Sequence, residues 1–315
     1  MTHTPTLPAP VVEWLLDSDP AVRWQVMRDL TDAPASAVAE ERSKVATQGL
    51  GARLLELQRP DGTWPARPEN ASWTSSPEGT AFTALLWLME LGLDPASAEA
   101  RAAVERVRDK VTWHWFDNRE FFEGEVEPCI NGRVVALGAY YGEDVTALVD
   151  RLLDEQMADG GWNCEQENGS IRGSFNTTIN VLEGVLELER ATGGNAESRA
   201  ARRRGEAYLL QRRLLRRLST GELIDPAFSL LSFPTDYGYD VLRALDYFRL
   251  AGERDERTKE AIDVVAGKRR PDGRWLLDRR NPSHLDLDLG DAEGAPSPWI
   301  TLRALRVLDW AGVPG

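Results

Sequence analysis

The 315-residue chain sets 37 lysines and arginines against 51 aspartates and glutamates, a formal charge of -14, and is 42% hydrophobic with eleven tryptophans and two cysteines. Such an acidic balance repels phosphate backbones and argues against nucleic acid as a partner, while the apolar fraction is ample for one folded core. No run approaches the roughly 18 apolar residues of a bilayer span and the start lacks a basic-then-apolar leader, so a cytoplasmic protein with no transmembrane segment and no disulfide framework is expected.

In chain order, Val11–Leu16 and Pro20–Leu30 read as a short helical pair punctuated by Asp17-Ser18-Asp19-Pro20. A cap over residues 1–35 is expected, because the end of a repeat stack must cover an open apolar face. A more polar helix follows from about Ser36 to Gln58, then an apolar one over Thr80–Gly92. The alternation continues with polar stretches at Pro95–Val111, Asp144–Gln156, Ala196–Arg217 and Asp255–Lys268, and apolar ones at Ile130–Gly142, Thr177–Glu189, Asp240–Gly252 and Ile300–Gly312.

The five apolar segments align without a gap. Leu85, Val135, Leu182, Leu245 and Leu305 fall at one register position, and four of the five segments end at glycine, a left-handed helix stop. Internal repetition at this period predicts stacked helical hairpins, with apolar helices inside and polar ones outside. Residues 36–315 therefore read as one repeat domain. The stretch Leu276–Pro298 is the longest irregular insertion.

Two loops read Gln-x-x-Asp-Gly-x-Trp, Gln58–Trp64 and Gln156–Trp162; a third, Pro271–Trp275, keeps the turn and the ring but has Arg269 in place of glutamine. Asp-Gly supplies a tight turn, tryptophan covers a hairpin end and glutamine fastens backbone groups, so these residues read as stabilising. The loops resemble the QW motifs of squalene-hopene cyclases and related terpenoid cyclases, over about Ser36–Trp310. The resemblance implies an all-α fold, an α/α toroid of about five hairpins plus the amino-terminal cap, an arrangement found also in protein prenyltransferase beta subunits. It also implies a central apolar cavity at the amino-terminal ends of the inner helices, open to an isoprenoid or another hydrophobic small molecule.

By register, the starts of the inner helices supply the candidate binding residues. Arg133, Asn180, Arg243 and Arg303 lie two positions before the aligned apolar anchor, in a pattern suited to a carboxylate or diphosphate. The candidate wall comprises Trp73, Phe175, Asn176, Tyr237, Tyr239 and Trp299. Ring faces can stabilise a carbocation, though aromatic residues at helix starts are commonly plain core.

The family's acid is the point of departure. The chain has no Asp-x-Asp-Asp; Asp286-Leu287-Asp288-Leu289 has two aspartates at the right spacing and leucine in the fourth place, while Asp236 and Asp240 are the other candidate acids. No aspartate-rich helix for magnesium is present, and no cofactor is expected. Protein prenyltransferases hold zinc through aspartate, cysteine and histidine, and the residues here that could stand in are Cys129, Cys164 and His284. The readings left open are a cyclase-like or isomerase-like enzyme with an unfamiliar acid, a binding protein that kept the cavity, and a protein-interaction scaffold.

Overall fold

The computed structural model describes residues 9–67, 73–236, 238–281 and 285–313. Helices dominate it, and they alternate between two layers. The inner layer comprises α2 (Pro20–Leu30), α5 (Pro77–Leu91), α7 (Pro128–Tyr141), α9 (Phe175–Thr192), α11 (Val241–Ala251) and α13 (Pro298–Ala311). Around it lie α1 (Ala9–Leu16), α3 (Ala35–Ser43), α4 (Gly49–Glu56), α6 (Ala98–Lys110), α8 (Thr146–Asp154), α10 (Ala196–Gln211) and α12 (Lys259–Gly267).

The layering follows from composition. α5 buries almost every residue from Glu78 to Leu88, whereas α6 and α8 bury one face only. Each inner helix packs on the next, α5 on α7, α7 on α9, α9 on α11 and α11 on α13. α13 then packs on α2, with Arg306 Nη2 donating to Gln25 Oε1 at 2.9 Å. α2 reaches α5 through Trp24 Nε1, which donates to the carbonyl of Leu91 at 3.0 Å. The result is a closed, double-layered α/α ring with α2 in the inner layer between α13 and α5.

Local chemistry sets the helix ends. Ser76, Ser174, Asp240 and Ser297 cap α5, α9, α11 and α13 by accepting a backbone N–H three residues on. At the other end a left-handed glycine stops each of these and α7; α9 runs one turn past Glu189 to Thr192, where Gly193 at φ 86° stops it.

Two outer helices differ from the sequence expectation. The stretch Ser36–Gln58 divides into α3 and α4, because Asp19 both caps α2 and accepts from the N–H of Leu50 at 2.8 Å, fixing a bend at Gly49. α10 stops at Gln211 instead of Arg217, since Arg213 and Leu214 adopt left-handed φ angles of 49° and 64°.

The three tryptophan turns share one geometry. The indole N–H of Trp64, Trp162 and Trp275 donates to the carbonyls of Leu54, Leu152 and Val265, each at 2.7 Å. Gln58 and Gln156 bridge to the neighbouring outer helix through the carbonyls of Ala103 and Ala201. The inner helices α7 and α9 approach backbone to backbone: a Cβ placed on Gly184 would stand 2.0 Å from the carbonyl oxygen of Gly132. No helix among the described residues is long and apolar enough to cross a membrane.

Candidate functional site

A cavity of about 610 Å³ occupies the ring, within the size range of small-molecule sites. Its inner end is formed by Trp299, Leu302 and Arg303 of α13, Arg133 of α7, Arg243 of α11 and Thr235. Its exposed rim lies at the carboxyl-terminal ends of the inner helices, where Arg28, Arg190 and Leu250 reach solvent. This corrects the expected direction of opening. The long connection between α10 and α11 folds over the amino-terminal side, with Phe233 stacked on Trp299 at 4.7 Å between ring centres and Asn281 Nδ2 holding the carbonyl of Pro234 at 2.6 Å. At the other end the inner helices are followed by short turns, stopped by glycine in all but α2, where Thr31 takes that place.

The lining is charged, not the apolar aromatic wall that the sequence suggested. Arginines outnumber carboxylates eight to five among the described lining residues, in a chain whose total charge is -14. The inner helices line the cavity with charged residues among apolar ones: α5 contributes Glu90, α7 Arg133, α9 Glu183, α11 Arg243 and α13 Arg303.

These side chains form two groups of contacts in the cavity. Arg243 grips Glu183 with Nε at 2.8 Å and Nη2 at 2.6 Å, and also donates to Asn180 Oδ1 at 2.8 Å and to the carbonyl of Gly238 at 2.7 Å. Arg133 pairs with the same Glu183, and Arg303 with Glu90. Burial alone would raise the Glu183 carboxyl; the Arg243 and Arg133 guanidiniums override it and hold the group below its ordinary range. Burial pushes Arg133 down to about 10, opposed by Glu183 and reinforced by Arg243, and its Nε has no hydrogen-bond partner among the described residues. Two guanidiniums share the Glu183 carboxylate here, with Asp236 as a further carboxylate near both.

Asp236 lies beneath this group. Its Oδ1 accepts the indole N–H of Trp87 at 3.1 Å, and its backbone takes φ 42°, a left-handed angle that directs the carboxyl toward α5. Burial pushes its pKa up to about 6, with the Trp87 hydrogen bond and then Arg243 and Arg133 opposing. Asp240 serves differently: it caps α11 through the N–H of Arg243 at 2.9 Å and accepts both the N–H and the hydroxyl of Ser232 at 3.2 and 2.6 Å. Burial raises its pKa too. Asp286 and Asp288 are exposed, alternating with buried Leu285, Leu287 and Leu289, and Asp288 pairs with Arg280 at 2.9 Å.

Of the candidate binding residues, the structure brings Arg133, Arg243 and Arg303 to the cavity, with Asn180 behind Arg243, and of the candidate wall it brings Trp299. Phe175 and Tyr239 pack instead with Phe228 and Tyr208 in an aromatic cluster, where Tyr239 donates to the carbonyl of Leu214 at 2.8 Å. Asn176 is exposed and accepts the N–H of Tyr239. Trp73 packs on Phe82 and Trp115 at the amino end of α5. Tyr237 and His284 lie outside the described residues.

Cys129 and Cys164 meet, their Sγ atoms 2.9 Å apart, with Glu127 Oε2 3.4 Å from Cys129. The donor atoms of Glu127, Cys129 and Cys164 lie within 4.8 Å of one another, a spacing compatible with a soft divalent cation. Sequence reasoning did not single out Glu183, Glu90 or Trp87. Their signal was present as charged or polar-edged residues inside the most apolar helices.

No protein-family model matches the chain, and no curated protein matches it. Among solved structures the chain is similar to the apo type II terpene cyclase MstE from Scytonema, at 19% identity over 92% of this chain and 86% of that one, with a TM-score of 0.46.

Proposed function

We propose that the protein binds a small amphiphile in the central cavity, with a carboxylate or phosphate head against Arg133, Arg243 and Arg303 and an apolar part along Trp299, Leu302 and Leu186. The observation that supports this is the convergence of three arginines from three inner helices on one cavity, faced there by Glu183 and Glu90. Guanidinium forks recognise planar oxyanions, and desolvation strengthens such pairs. A purely apolar isoprenoid suits this lining less well, since it would leave the arginines desolvated without gain.

Thermal unfolding with a prenyl diphosphate, the matching prenyl alcohol and inorganic diphosphate tests the reading. The ester should raise the melting temperature most, and Arg303→Met should abolish its effect. Equal indifference to all three would overturn it.

Trp87 and Asp236 favour a second reading, in which the bound molecule is isomerised or cyclised by proton transfer from Asp236. Burial brings the Asp236 carboxyl up to about 6, within reach of proton transfer at mildly acid pH, and sets it beside a ring as such a step requires. Turnover that survives Asp236→Asn would exclude it.

A further inference from the structure

The geometry points to a peroxide-oxidisable dithiol at Cys129 and Cys164, which closes to a reversible disulfide. These are the two cysteines of the chain, 35 residues apart in sequence, and the fold puts their sulfurs 2.9 Å from each other. Cys129 stands in the first turn of α7, behind Pro128 at the helix start, and Cys164 opens the short 3-10 turn Cys164–Gln166 after Trp162. Both are half-buried, which leaves them open to a molecule the size of hydrogen peroxide. A bond requires the sulfurs to close to about 2.05 Å, a movement of less than the width of an atom.

The surroundings divide the roles. Thr177 Oγ1 lies 3.4 Å from Cys164 Sγ, and Glu127 Oε2 lies 3.4 Å from Cys129 Sγ. A hydroxyl that can donate to Cys164 favours a thiolate there, and a carboxylate beside Cys129 disfavours one, so Cys164 is the attacking thiolate and Cys129 the resolving thiol.

In the first step Cys164 Sγ attacks one peroxide oxygen, the O–O bond breaks, and the leaving hydroxide takes a proton to become water, with a sulfenic acid left on Cys164. In the second, Cys129 Sγ loses its proton and attacks the Cys164 sulfur, expelling the sulfenic hydroxyl as a second water. Two thiols and one peroxide give one disulfide and two waters, the two electrons passing from the sulfurs to peroxide. The new bond ties the segment after the second tryptophan turn to the start of α7.

The test uses the full chain, reduced, freed of metal by a chelator and exposed to hydrogen peroxide. Both thiols should disappear together with the loss of two hydrogen masses from the monomer, reversed by dithiothreitol. Cys129→Ser should leave a dimedone-reactive sulfenic acid on Cys164, and Cys164→Ser should consume peroxide about tenfold more slowly than the parent. Survival of both thiols, independent oxidation of each to sulfinic acid, or disulfides only between chains would overturn the assignment. So would zinc retained at one per chain through the chelator treatment.

Discussion

Trp87 and Asp236, 149 residues apart in sequence, meet across the ring at 3.1 Å, with the indole N–H donating to the carboxyl. The contact fastens the connection between α10 and α11 to α5, and it sets a carboxylic acid next to an aromatic ring and two arginines.

The pH dependence of stability should report that acid. Its folded pKa of about 6 lies above the model-compound value of 3.8, so between about pH 4 and 6 the folded chain keeps a proton that the unfolded chain has released. Stability should therefore fall as pH rises through that window, by up to about 3 kcal/mol, and stay lower above it. Asp236→Asn should flatten the slope and stabilise the protein at pH 7. Trp87→Phe removes a donor to the charged form and should move the midpoint upward. Urea denaturation at several pH values measures both; identical slopes in parent and Asp236→Asn would refute the assignment.

Glu183 should trade stability against binding. It pairs with two buried arginines, and Glu183→Gln leaves them without that shared partner, at a cost of about 3 kcal/mol or more. The same substitution frees both guanidiniums for a ligand. A variant that melts earlier alone but shows a larger shift with a phosphate-bearing ligand is the expected outcome.

Asp240 should respond as a helix cap. Serine holds the equivalent place in α5, α9 and α13. Asp240→Ala should cost about 2 kcal/mol by uncapping α11 and stranding Ser232, and Asp240→Ser should recover most of it. Equal losses in the two variants would mean that the carboxylate has a task beyond capping.

Gly184→Ala should be poorly tolerated, by at least about 2 kcal/mol, because its methyl would meet the backbone of α7. Gly267→Ala, in α12 with open space around it, should be neutral or stabilising. Melting curves of the two variants give the comparison directly.

What could be read from the chain was what is local or periodic. The turns at Trp64, Trp162 and Trp275 were visible because turn and ring, with glutamine in the first two, are written within seven residues, and the structure gives the three indoles one hydrogen-bond distance. Arg133, Arg243 and Arg303 share a register position, and since the inner helices lie side by side in a ring, a shared register becomes a shared place. Closure hid the rest. Glu90 meets Arg303 across 213 residues, and no local pattern announces such a pair. The direction of the cavity was equally invisible, because it depends on how the connection containing Phe233 and Asp236 folds back over one end. Aromatic residues such as Phe175 and Tyr239 share the helix starts with the arginines, but pack against Phe228 and Tyr208, which no spacing rule relates to them.

The seam between α13 and α2 has a mechanical meaning. An open solenoid can unravel from a loose end, one repeat at a time. A hoop offers no such starting point: releasing any one repeat surrenders two lateral contacts at once. Heat or denaturant should therefore leave the protein whole until the weakest joint parts, and trimming the chain through Leu30, which removes α2 and its contact with α13, should weaken helices more than 200 residues away.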